Sequence, residues 1–114
     1  MNILKILQII AVVATILTGL VSLIWPLKVQ DFTGLTAPGG RGITEIRSIL
    51  GALFIGLGIA VFLLGTRETY QMLGIMYLAI AAVRAVSIVI DKSAEQSNTI
   101  SLIAEIVLGI ILVL

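Results

Sequence analysis

The 114-residue sequence predicts an all-α fold, an integral membrane four-helix bundle with short loops. Composition is the first reason: 60% of the residues are hydrophobic, 11% are charged and mean hydropathy is +1.24, too few polar groups to cover a water-soluble domain of this size. Periodic punctuation is the second, because the apolar residues fall into four runs separated by charged and turn-forming residues. Three of these runs reach the length of about 20 residues that a helix needs to cross a bilayer. The whole chain, 1–114, reads as a single transmembrane domain.

The first helix is expected over 3–25, broken only by Lys5, Gln8 and small hydroxyl residues and closed by Pro26. Its length, and the lack of a small-x-small cleavage site after it, set it apart from a signal peptide. Residues 27–42 collect Lys28, Asp31, Pro38, Gly39, Gly40, Arg41 and Gly42, so an exposed or interfacial loop is expected there. The second helix, 43–64, carries Thr44, Glu45, Arg47 and Ser48 at its start and stops at Gly65 before Arg67 and Glu68. The third, 70–90, has Arg84 as its only charge and is followed by Asp91, Lys92 and Glu95. Asn98 or Thr99 would cap the fourth, 98–114, which carries Glu105. That last run is short for a span, so it starts within the polar loop, the membrane is thin there, or the chain has been shortened.

The expected location is a cell membrane crossed several times, with the lipid bilayer as the principal partner. Lys5 and Arg67 share the side of the termini, while Lys28, Arg41 and Lys92 lie opposite beside Asp31, Asp91 and Glu95. The basic-residue count decides little between the two sides, and both termini are expected in the cytoplasm.

Several function classes lose support. With no Cys and no His, disulfides, thiol redox chemistry, the usual zinc and haem ligands and imidazole catalysis are absent, so neither metal nor cofactor is expected. A net charge of +1 offers nothing to nucleic acid. Gly39-Gly40-Arg41-Gly42 lacks the Lys-Ser or Lys-Thr of a phosphate loop and reads as a flexible turn. Trp25 and Tyr70 stand at helix ends, where interfacial anchors belong, which leaves Tyr77 to line an interior.

Packing in lipid favours small residues on one face. Ser48, Ala52, Gly56 and Ala60 form such a ladder, with Gly51 and Gly58 beside it. The first helix offers Ala11, Thr15 and Gly19 and, adjacent, Ala14, Thr18 and Ser22, and the third offers Ala81 and Ala85. Contacts within the bundle are the favoured use, with a homo-oligomer as the other.

A charge at membrane depth costs about 2.5–3.5 kcal/mol on insertion scales, so such residues seek partners or water. Glu45 and Arg47 enter the second helix from the 27–42 side. Arg84 precedes Asp91 by seven residues and Glu105 follows Asn98 by seven, placing both roughly 10 Å inside the same boundary. The four form a formally neutral cluster, with Asp91 at its wet mouth and Arg41 extending that mouth from the loop. Two readings stay open: a pocket for a small amphiphile, lipid headgroup or quinone-like molecule, or a structural ion-pair network.

Over GGRGITEIRSILGALFIGLGIAVFLL, AAVRAVSIVIDK and AEIVLGIILVL, roughly the last two thirds, the chain resembles a family of small bacterial four-helix membrane proteins of unknown function related to the DoxX-like group. That resemblance implies a Glu-x-Arg pair opening the second helix, an Arg and an Asp closing the third and a Glu in the fourth: here Glu45, Arg47, Arg84, Asp91 and Glu105. It implies no reaction. The leading expectation is therefore a non-enzymatic membrane protein that binds a ligand or lipid or supports a partner. A small proton-coupled transporter is disfavoured by a first helix without an acidic residue and by two arginines in the cluster. A membrane enzyme using Glu45 and Glu105 as acid and base lacks a nucleophile or metal motif.

Overall fold

The computed structural model describes residues 2–114 and contains helices and no strand among them. Helix α1 spans Ile3–Ile24, and the Asn2 side chain accepts from the Lys5 N–H at 2.8 Å at its start. Helix α2, Pro26–Thr33, occupies the first half of the stretch expected to be loop. The reason is local: Pro26 presets the helical φ and lacks only an N–H that a first turn leaves unused. Gly34, at φ 78°, stops the helix in the left-handed conformation and donates its N–H to the Gln30 carbonyl at 2.8 Å.

Helix α3 runs over Gly40–Leu64, three residues longer at its start than the apolar run suggests. It is α-helical over Gly40–Glu45, π-helical over Ile46–Ala52 and α-helical again over Leu53–Leu64. Helix α4, Arg67–Ile90, begins at Thr66, whose hydroxyl accepts from the Thr69 N–H at 3.3 Å. Helix α5 is Gln96–Val113 and is entered from Glu95, so Asn98 and Thr99 lie inside its first turn rather than capping it. Helices α1, α3, α4 and α5 are each long and apolar enough to cross a membrane. Leu63 (80% exposed), Val89 (77%) and Ile3 (77%) stand out from them. Apolar side chains displayed so fully belong against lipid, and the chain is a multi-pass membrane protein.

The contacts divide the chain into two compact units: residues through Ala11 with Gly65–Leu114, and Val12–Leu64. In the first, α4 and α5 pack through glycines. A Cβ on Gly74 would lie 2.9 Å from the Gly109 carbonyl oxygen, and one on Gly109 would lie 2.7 Å from Leu78. Leu73, Tyr77, Ala81 and Leu112 are buried. The start of α1 joins this unit through polar contacts: Gln8 Nε2 donates to the Ile111 carbonyl at 3.1 Å, and the Lys5 ammonium sits 3.8 Å from the centre of the Tyr70 ring.

In the second unit, α1 and α3 meet at Gly19 and Gly51. A Cβ on Gly19 would fall 2.6 Å from the Gly51 carbonyl oxygen, and one on Gly58 would fall 2.4 Å from Ile16. Close approach thus uses Gly51 and Gly58, seven residues apart. Three members of the ladder beside them stand open: Ser48, Ala52 and Gly56 are exposed, a Cβ on Gly56 would meet nothing within 4 Å, and Ala60 is half-buried. Residues four apart and residues seven apart each share a helix face, and the neighbouring helix selects the seven-residue pair. On α1, Thr15, Gly19 and Ser22 are buried, and the Thr18 hydroxyl donates back to the Ala14 carbonyl at 2.8 Å.

Candidate functional site

Arg84 and Glu105 meet where α4 packs on α5. Arg84 Nε donates to Glu105 Oε1 at 2.7 Å and Nη2 to Oε2 at 2.8 Å, a fork-to-fork pair. Nη1 donates to Asn98 Oδ1 at 2.9 Å. Asn98 Nδ2 in turn donates to the Ser93 carbonyl at 2.9 Å and to Ser93 Oγ at 3.2 Å. The Glu105 side chain is 12% exposed and that of Arg84 32%. Both carboxylate oxygens and all three guanidinium nitrogens are engaged by protein. The charge is cancelled and the polar atoms are satisfied, the condition under which an ion pair survives at membrane depth.

The remaining sequence-derived residues divide between the two units. Asp91 is exposed and accepts from the Ser87 hydroxyl at 2.6 Å, and Tyr77 is buried in α4. Glu45 is exposed and ion-paired with Arg41 one turn earlier in α3. Arg41 is thus helical and is Glu45's partner. Arg47 is exposed and is the second residue of the π-helical stretch. Of the expected constellation, then, the structure joins Arg84 to Glu105 and gives Glu45 and Asp91 partners from their own neighbourhoods. Asn98 and Ser93 belong to the Arg84 network and were not among the expected site residues. The signal for Asn98 was its position two helical turns before Glu105, which puts both on one face.

The Val12–Leu64 unit contains a groove of about 470 Å³, a size suited to part of a small ligand. Ile24, Pro26, Leu27 and Ile43 form its apolar walls, and Trp25, Lys28 and Arg47 supply its polar groups. The Lys28 ammonium lies 5.6 Å from the centre of the Trp25 ring. No carboxylate lines the groove, and among the described residues no ion pair engages Arg47 or Lys28. Two cations therefore share an apolar cleft with no acid. No group of three or more His, Cys, Asp or Glu residues suited to a metal ion occurs among the described residues.

Comparison with curated proteins and with solved structures finds no match to the chain. A family model does match, from residue 3 to residue 114, essentially the full length. This four-span membrane chain belongs to the family described as a domain of unknown function, DUF4345.

Proposed function

We propose that the chain is a non-catalytic membrane protein that holds a small amphiphile, a lipid or a quinone-like molecule, in the groove between α1, α2 and α3. The observation that carries this reading is Arg47, an exposed cation on an apolar groove whose lining has no acid to neutralise it. A guanidinium so placed, near the membrane boundary marked by Trp25, favours a polar head with an apolar tail beneath it. The Arg84–Glu105–Asn98 network has the opposite character. Each carboxylate oxygen of Glu105 and each guanidinium nitrogen of Arg84 already has a protein partner, which supports a structural role as the polar latch between α4 and α5.

This reading takes the chain as a relative of the DoxX-like group, seated in a bacterial inner membrane with both termini in the cytoplasm, where a bound amphiphile or a partner protein would serve envelope maintenance. Proton-coupled transport receives less support. Helix α1 carries no acidic residue, and Glu105 is held by an arginine. The test is organic extraction and mass spectrometry of the full chain purified in mild detergent. Stoichiometric retention of an amphiphile, reduced when Ile43→Trp fills the groove, is the expected result. Retention no greater than that of an unrelated four-span protein overturns the reading.

A further inference from the structure

The groove also carries information about the head of its ligand. Its polar groups are an ammonium and a guanidinium, Lys28 and Arg47, and its lining contains no carboxylate. The acid nearest to Arg47 along the chain, Glu45, is already paired with Arg41. Asp31, one turn beyond Lys28 on α2, is not part of the lining. A zwitterionic head would bring an ammonium group into a site that offers it two like charges and no acid, while an anionic head meets only cations.

Placement favours a phosphodiester over a free anion. Trp25 lies between α1 and α2, at a helix end of the kind where indoles anchor in the headgroup layer, and the Lys28 ammonium lies 5.6 Å from the centre of that ring. Arg47 stands on α3 beside Ile43, so its fork is available to phosphate oxygens while Ile24, Leu27 and Ile43 receive the first carbons of a tail. Basic pockets between membrane helices bind anionic headgroups on this principle.

We propose that Lys28 and Arg47 form a selective site for the phosphodiester headgroup of an anionic phospholipid. This rests on the amphiphile reading of the groove given above and adds the charge and chemistry of the head. The test uses the full chain in a non-ionic detergent, titrated with phosphatidylglycerol, phosphatidylcholine or inorganic phosphate, with bound lipid counted by native mass spectrometry and stability followed by thermal unfolding. Phosphatidylglycerol is expected to bind more tightly than phosphatidylcholine by about five-fold or more for each cation. Lys28→Gln with Arg47→Gln should abolish that preference, and Lys28→Arg with Arg47→Lys should retain it. Equal binding of the two lipids by the native chain overturns the headgroup assignment and leaves the amphiphile reading standing. Binding of neither lipid overturns both. Stabilisation by inorganic phosphate equal to that by phosphatidylglycerol shows a free-anion site and overturns the lipid assignment.

Discussion

The guanidinium of Arg84 and the carboxylate of Glu105 meet edge to edge, with Nε and Nη2 of one at 2.7 and 2.8 Å from the two oxygens of the other. The pair links α4 to α5 by side chains that are individually costly in lipid and jointly neutral. Its value to the fold is therefore asymmetric. Keeping both residues or removing both is tolerable, and keeping one is not.

Arg84→Ala or Glu105→Ala alone should destabilise the chain by about 3 kcal/mol, because the surviving charge is left at depth without its counterpart. Arg84→Met combined with Glu105→Leu should recover most of that loss. Unfolding curves in mixed micelles, run as a double-mutant cycle, check both values; additive losses would remove the latch interpretation.

Asn98→Ala should cost about 1 kcal/mol by removing the third acceptor of Arg84 and the side-chain bonds to Ser93. Its distinctive effect is local: hydrogen exchange should accelerate over residues 91–97, while protection around Gly74 and Gly109 persists.

Gly74→Ala and Gly56→Ala test opposite consequences of one added methyl group. At Gly74 the new Cβ collides with Leu112, Val113 and the Gly109 carbonyl, and a loss of about 1–3 kcal/mol is expected. At Gly56 it meets nothing within 4 Å, so the gain in helix propensity, about 0.5–1 kcal/mol, should appear as added stability. Thermal melts of the two variants in one detergent give the comparison.

The exposed pair Arg41 and Glu45 should contribute little, since water and salt screen an i,i+4 pair of this kind. Arg41→Ala is expected to change stability by less than about 0.5 kcal/mol, with a difference that shrinks further in molar salt.

The membrane-spanning segments were legible because each is a long apolar run ended by Pro, Gly or charge, and lipid leaves the backbone no alternative to the helix. Helix α2 was hidden by its composition: Lys28, Gln30 and Asp31 look like loop residues, and only Pro26 and Gly34 mark its ends. Depth counting indicated that Arg84 and Glu105 occupy similar levels, but it carries no information about helix rotation. The i,i+4 spacing of Arg41 and Glu45 was masked because residues 27–42 read as loop, and no spacing rule could show that Gly51 and Gly58 rather than Ser48, Ala52 and Gly56 face a neighbour. The groove was illegible because it depends on α2, the element composition concealed.

The π-helical stretch at Ile46–Ala52 bears on how this chain tolerates changes of length. A π turn accommodates one more residue than the α-helical turn it replaces. Deleting a single residue from this stretch would let α3 revert to a regular α-helix from end to end, with Gly58 undisturbed on its packing face. Elsewhere in the helix a deletion turns one portion by about 100° relative to the other and misaligns its contacts. The stretch that presents Arg47 is thus also the natural splice point of the helix, where its length can change by one residue without unseating the glycine contacts beyond it.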